Sequence, residues 1–136
     1  MIRGIFDAAR RFEAYRLPEI FAGLKRQGRV TAFPALYPPG ANIPQAWASG
    51  SIFQMMQTIL GLRADASHKR LYVNPTLPEW LSDVQLQHLR VGPCSFTLHF
   101  WREGNRSHWE VVHMTADQGV AQQELVQVMD EPQRAS

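Results

Sequence analysis

The sequence has 136 residues, 45% of them hydrophobic, and carries 14 Lys and Arg against 12 Asp and Glu for a formal net charge of +2. This length suits one domain or a piece of one. A weak positive charge without a zinc-finger, helix-turn-helix or RNA-binding motif argues against a nucleic-acid partner. No apolar run reaches the ~18 residues of a membrane span, and the first residues lack the apolar core of a secretory signal. Because Cys94 is the single cysteine, we expect a cytoplasmic protein without an internal disulfide.

The first predicted element is a helix over residues 2–15. Its apolar side chains recur at three- and four-residue spacing, while charged residues take the other side. Leu17 precedes a proline, and this position disfavours the α conformation, so we expect the helix to end by about residue 16. The apolar set is Ile2, Ile5, Phe6, Ala9 and Phe12.

Residues 17–43 form a long segment rich in proline and glycine. Irregular connections longer than about 12–15 residues are uncommon in compact domains and are usually functional or disordered. The segment contains Phe21, Phe33 and Tyr37, and these aromatic residues favour a functional loop over plain disorder.

A second helix is predicted from near Asn42–Pro44 to Leu60, with Asn42 as its cap and Gly61 as its stop signal. Small residues over 48–51 would let another helix approach closely. Because apolar residues cover much of the circumference, we expect this helix to be buried.

From residue 69 the spacing of apolar residues changes to alternation, which predicts an antiparallel meander of four or five strands. Gly104-Asn105 fits a two-residue hairpin turn, and a shift of the apolar set predicts a bulge near Gln87–His88. The hairpin turn implies the pairs Phe100 with Trp109, Leu98 with Val111 and Phe96 with His113 on one face, and Trp101 with His108 and His99 with Glu110 on the other.

These elements predict an α+β fold, with two N-terminal helices followed by the meander. The predicted divisions are a helical segment over residues 1–62, a β-sheet segment over 63–129 and a frayed polar tail over 130–136.

Four strings of the sequence carry a family resemblance. They are RLPEIFAG at 16–23, FPALYPPGANI at 33–43, PQAWASG at 44–50 and GLRADASHKRLYVNPTLPEWLSDVQLQHLRVG at 61–92. Together they resemble the C-terminal end of bacterial amylo-α-1,6-glucosidases, glycogen-debranching-type glycoside hydrolases built on an (α/α)6 barrel. The resemblance implies that the two helices are the last hairpin of such a barrel. A barrel of about twelve helices, at ~11–12 residues each, does not fit in this chain.

The resemblance also implies roles for individual residues. Glu19, in the Leu-Pro-Glu motif, matches the general base, which in an inverting glycosidase activates water opposite the departing group. Gln45 and Trp47 match a segment beside the catalytic pocket, and Tyr37 joins them as a substrate-binding residue. Each has a simpler interpretation. Glu19 can be a solvated loop residue, Gln45 can satisfy backbone groups, and Trp47 can pack the barrel.

The general acid of the family lies on a barrel helix upstream of the base, and no residue of this chain matches it. We therefore expect the isolated chain to be inactive as an α-glucosidase. The leading hypothesis is a C-terminal fragment or split-gene part of such an enzyme. Its expected partners are an α-glucan or oligosaccharide, and either the missing N-terminal barrel part or a second copy bound through the helices. The alternative is an independent carbohydrate-binding or assembly module without catalysis.

Other polar residues are interpreted as structural or solvated. Glu79, in a second Leu-Pro-Glu string, is expected to be solvated. The histidines lack metal-ligand spacing, and the predicted register separates His99 from His113 onto opposite faces, so no metal site is expected. Neither a phosphate-binding glycine-rich loop nor a nucleophile elbow occurs, and no cofactor is expected.

Overall fold

The computed structural model describes residues 2–19, 42–122 and 125–131. The fold is α+β, as predicted. The helices are α1 (Ile2–Ala9) and α2 (Ala46–Leu60), with a short 3-10 turn at Glu13–Tyr15 between them. The strands are β1 (Arg63–Asp65), β2 (Arg70–Val73), β3 (Asp83–Val91), β4 (Cys94–Glu103), β5 (Arg106–Ala116) and β6 (Gln127–Asp130). The chain divides into two compact units, Met1–Met56 and Gln57–Ser136.

Helix α1 is shorter than the sequence predicted. It ends at Ala9, and the amide groups of Arg11 and Phe12 bond to carbonyls three residues back, which tightens the last turn. Phe12 is extended, and Ala14 and Tyr15 have φ of 51° and 59° in the left-handed region. These conformations stop the helix several residues before the proline can act.

The core of the first unit joins the two helices. Ala8 and Ala9 of α1 and Leu17 are each at most 3% exposed. The side chains packed on this group are Ile5, Phe12, Ala48 and Ile52, the last two from α2. Side chains of both helices therefore contribute to this core.

Helix α2 starts at Ala46, later than predicted, and its cap is Gln45 instead of Asn42. The Gln45 carbonyl accepts a bond from the Ser49 amide at 3.0 Å, and its side-chain Oε1 accepts one from the Ala46 amide at 3.2 Å. Pro44 lies before the helix and follows a cis peptide bond. The side chain of Asn42 is occupied elsewhere, as described below.

The end of α2 is the predicted one. The Leu62 amide bonds to the Gln57 carbonyl at 3.0 Å and the Gly61 amide to that of Thr58 at 3.2 Å, the paired bonds of a Schellman motif. Gly61 has a φ of +61°. Backbone bonds from Asn74 to Gly61 and from Thr76 to Ile59 then attach this end to the chain after β2.

Within the described residues, six strands form two three-stranded sheets, so the single meander was wrong. One sheet has the order β1-β2-β6 and the other the order β3-β4-β5. Strand β6 pairs with β2 in parallel, which no meander contains. The partner of β6 depends on tertiary packing, which the alternation of apolar residues does not encode.

The β3-β4-β5 sheet has the predicted turn and the predicted first bulge. The bulge lies between Leu86 and Leu89, with His88 at a φ of +57°, and Gly104 has a positive φ in the turn before Arg106. The pairs Phe100–Trp109, Leu98–Val111, Trp101–His108 and His99–Glu110 are confirmed.

One predicted pair is wrong. A second irregularity between Thr97 and Leu98 leaves Val112 as an extra residue on β5, so Phe96 pairs with Met114 and His113 with Thr97. His113 therefore lies on the face that carries His99. No pattern in the sequence signals this bulge, because Val111 and Val112 are adjacent apolar residues.

The hydrophobic core of the second unit includes the inward-facing side chains of β4. Alternate residues of β4 point inward, and they are at most 1% exposed: Cys94, Phe96, Leu98 and Phe100. The other buried apolar residues of this unit are Ile59, Leu60, Leu71, Tyr72, Val73, Leu77 and Val126.

A hydrogen bond joins the two sheets, because the Trp109 indole on β5 donates to Asp130 on β6 at 2.8 Å. Within the other sheet, Arg63 of β1 pairs with Glu131, just after β6, at 2.9 Å. Asp130 and Glu131 are thus held in place, although the sequence placed them in a frayed tail; residues 132–136 lie outside the described residues. Among the helices of the described ranges, none is long and apolar enough to cross a membrane.

Replacing Gly50, inside α2, and Gly61, directly after it, by alanine should change the stability of the protein in opposite directions. A Cβ at Gly61 would overlap the Asn74 carbonyl, and φ is +61°, so Gly61→Ala should lower the free energy of unfolding by at least ~1–2 kcal/mol. Gly50 lies inside the helix with open space around it, so Gly50→Ala should raise that free energy by about 0.5–1 kcal/mol. Urea unfolding of both variants measures the difference. Equal changes in the free energy of unfolding for the two variants would contradict the different backbone roles given to Gly61 and Gly50.

Candidate functional site

Glu19 lies on an exposed turn after α1 and is held by one residue distant in the sequence. Its Oε2 accepts bonds from the Asn42 backbone amide at 3.2 Å and from the Asn42 side-chain Nδ2 at 3.0 Å. The Glu19 amide in turn donates to the Asn42 carbonyl at 3.0 Å. Three bonds between the two residues therefore fix the direction of the carboxylate. Within the described residues, Oε1 has no hydrogen-bond partner.

The neighbouring backbone explains this arrangement. Leu17 is 1% exposed and anchors the chain in the helical core, and its carbonyl accepts a bond from the Gln45 amide at 3.0 Å. The two stretches 17–19 and 42–45 are thus paired at both ends. Glu19 is the first exposed residue after buried Leu17 and Pro18, and it lies beside the start of α2.

Of the other predicted site residues, Gln45 lies beside Glu19, Trp47 is exposed and Tyr37 is not described. Gln45 adjoins Glu19 through the backbone pairing, but its side chain caps α2, which matches the simpler interpretation made from sequence. Trp47 is 87% exposed, so no described residue packs over it. Tyr37 lies outside the described residues, as does the rest of the predicted loop from 20 to 41.

A carboxylate held in this way can accept a proton from water or a bond from a sugar hydroxyl. The contacts of Glu19 within the described part of the chain include no second acidic side chain. Glycoside hydrolysis uses two carboxyl groups about 5–10 Å apart.

A second polar cluster lies on the outward face of the β3-β4-β5 sheet, where sequence reasoning proposed no site. His99 on β4 reaches a carboxylate on each neighbouring strand: its Nε2 lies 3.0 Å from Asp83 and its Nδ1 3.3 Å from Glu110. Trp101 stacks between the rings of His99 and His108, at centroid distances of 5.1 and 5.5 Å. The cluster borders a shallow depression of about 310 Å3.

The two carboxylates raise the pKa of His99, the hydrogen bond that its ring donates to Asp83 being the larger cause and that to Glu110 the next. Both ring nitrogens are engaged by different carboxylates, so the three groups do not converge on one point where a metal would bind. No group of three metal-ligating side chains occurs in the ranges that the structure describes.

The remaining residues behave as the sequence indicated. The side chain of Glu79 is 91% exposed, with Arg102 as far as 4.0 Å away, and it is solvated as expected. Cys94 is a free, buried thiol. Sequence reasoning missed the roles of Asn42 and Asp83, since each meets its partner across a gap in sequence that no local spacing reveals.

The bridging position of His99 predicts a pH-dependent stability. Its folded-state pKa lies above the ordinary 6.5, so the stabilisation is complete below about pH 6.5 and is lost as pH rises through the folded-state value. An NMR titration of the ring should give a pKa above 6.5. Asp83→Asn should lower it more than Glu110→Gln, whereas Asp117→Asn, which removes a carboxylate paired with Arg90, should leave it unchanged. A pKa of 6.5 or below in the parent chain would contradict this.

Comparisons with family models, with curated proteins and with solved structures find no match to this chain. A function is therefore inferred from its own side chains together with the sequence resemblance to the debranching glucosidases.

Proposed function

We propose that the chain is the C-terminal part of an amylo-α-1,6-glucosidase-like glycoside hydrolase and supplies the general-base side of its site. The observation that carries the proposal is the Glu19 carboxylate, fixed through Oε2 by two donors from Asn42. The proposed substrate is an α-glucan or a derived oligosaccharide. The proposed setting is the cytoplasm, which suits the free Cys94 thiol.

The role of Glu19 follows from the chemistry of an inverting glycosidase. One carboxyl group protonates the departing oxygen, while the other takes a proton from a water that attacks the anomeric carbon from the opposite face. A base needs a fixed direction and one oxygen that can meet the water. Asn42 supports the first requirement, and Oε1 supplies the second.

The packing of the two helices supports a barrel origin. In a self-contained module, the large apolar residues of α2 would pack inside the chain. Instead Trp47 is 87% and Phe53 77% exposed, and no described residue lies within 4 Å of the position that a Cβ would take at Gly50 between them. These three residues form one side of α2, here called the aromatic face. In the proposed enzyme this face would pack against the missing barrel helices.

The chain alone should release no glucose from isomaltose-like or limit-dextrin substrates, because no residue of the chain matches the general acid of the family. Combined with the first ten barrel helices, encoded by an upstream reading frame or taken from an enzyme of the family, it should regain turnover. Glu19→Gln in the combined enzyme should then lower kcat by about 10²–10⁴-fold, since glutamine keeps the bonds to Asn42 but cannot accept a proton.

Glu13→Gln is the matched control, because Glu13 is an exposed glutamate of the same unit outside the proposed site. It should keep the parent rate. Glucose release by the lone chain, or a parent rate in the combined Glu19→Gln enzyme, would overturn the proposal.

Without barrel helices, the aromatic face should drive self-association. Exposed apolar patches of a few hundred Å2 commonly mark interaction sites. Light scattering at about 20–50 μM, within the range of weak dimers, should show a dimer or larger species. Replacing both Trp47 and Phe53 by serine should shift the chain to a monomer, while Val112→Ser, which removes an exposed valine of the second unit, should not. A parent chain that is monomeric at this concentration would count against the fragment interpretation.

A further inference from the structure

The outward face of the β3-β4-β5 sheet carries polar and aromatic side chains in aligned rows. Residues paired across strands point to the same side of a sheet, so neighbouring rows make one surface. Two rows cross all three strands, and they consist of Asp83, Trp101 and His108, and of Gln85, His99 and Glu110. The shallow depression of about 310 Å3 is lined by four of these side chains, namely Asp83, His99, Trp101 and Glu110.

The rings beside the depression are held in fixed orientations. The two neighbouring carboxylates hold the His99 ring from both sides. Trp101 is stacked on the rings of His99 and His108, and its indole N–H donates to Glu103 at 3.2 Å. A ligand would therefore meet side chains whose rotamers are already restricted, which lowers the entropy cost of binding.

Each carboxylate beside His99 uses one oxygen for the ring and keeps the other. Asp83 meets the ring through Oδ2, and Glu110 meets it through Oε1. Within the described residues, Asp83 Oδ1 and Glu110 Oε2 have no hydrogen-bond partner, and the two side chains are 71% and 58% exposed. The depression thus offers two oriented acceptors to a ligand that donates hydrogen bonds.

The position of His99 favours a neutral donor over a cation. Bonds to both carboxylates require both ring nitrogens to donate, which imidazole does only when it is protonated. The ring then supplies the positive charge between Asp83 and Glu110, and a cationic ligand would have to compete with it. A hydroxyl group can donate to the outer oxygens without displacing the ring.

We propose that this depression binds an α-glucan oligosaccharide, through residues other than those of the catalytic site. Sugar hydroxyls would donate to Asp83 Oδ1 and Glu110 Oε2, and the apolar C–H surface of a sugar ring would lie against the part of Trp101 that lines the depression. The choice of an α-glucan rests on the proposed function. The site belongs to the second unit and Glu19 to the first, so the isolated chain can be used to test it.

Maltotetraose is the probe. In ¹⁵N NMR spectra at about pH 6, where His99 is protonated, it should cause saturable shifts at the backbone amides of Asp83, His99 and Glu110 and at the Trp101 indole N–H. The expected Kd is about 1–10 mM, because a shallow site buries little of its ligand. Two control ligands should bind at least about tenfold more weakly. They are butylamine, which is cationic, and tetraethylene glycol dimethyl ether, which is neutral but has no hydroxyl donor.

Variants with matched controls separate the two contributions. Trp101→Ala should weaken maltotetraose about tenfold, whereas Trp47→Ala, which removes an exposed tryptophan of the first unit, should leave its Kd unchanged. Asp83→Ala combined with Glu110→Ala removes both acceptors from exposed positions and should also weaken it about tenfold. Asp117→Ala, which removes an exposed carboxylate paired with Arg90, should not.

Three results would overturn the proposal: no saturable shifts with maltotetraose, either control ligand binding as tightly as maltotetraose, or an unchanged Kd in the folded variant that lacks both carboxylates. These measurements do not involve turnover. The effect of Glu19→Gln in the combined enzyme is therefore independent of them, and the two proposals can fail separately.

Discussion

The absence of a side chain at Gly61 is the constraint on which the exit from α2 depends. The left-handed turn there lets two orphan carbonyls of the helix find amide donors, and it lets the backbone of Asn74 approach to a distance that no Cβ would permit. The same approach gives Asn74 and Thr76 backbone partners at the helix end. One residue without a side chain thus ends the helix and determines where the strand after it can lie.

Local signals in the sequence predicted those parts of the fold that local physics determines. Gly61 as a stop, Gly104 as a turn and the bulge before Leu89 all depend on a residue and its near neighbours. The parallel partner of β6 and the second bulge of β5 depend on which strands meet in space, and the alternation of apolar residues carries no such information. The early end of α1 depends on left-handed conformations at alanine and tyrosine, which have no sequence signature.

The contacts of the candidate site residues likewise fall into those that the local sequence predicts and those that depend on tertiary structure. The Leu-Pro-Glu string singled out Glu19, and the structure places this residue on an exposed turn well beyond the end of α1 at Ala9. The contact between Asn42 and Glu19 could not be predicted, because it depends on the pairing of two stretches separated by the whole loop. Asn42 also had a plausible local role as a helix cap.

The pairing of His99 with Glu110 followed from the hairpin turn, whereas Asp83 joined them from a third strand. Electrostatic partners across one turn can be read from sequence, and partners across several elements cannot.

The burial of Cys94 has a consequence for how the second unit opens. Its thiol is 1% exposed, and its Sγ accepts a bond from the Val126 amide at 3.4 Å, immediately before β6. A thiol reagent can reach this sulfur only when the backbone at Val126 lifts away from β4. Because the chain has no other cysteine, the rate of alkylation reports the local and global openings that expose this one sulfur, without an introduced label. The Cys94 thiol is thus a natural probe of the openings that expose the core beside the edge strand β6.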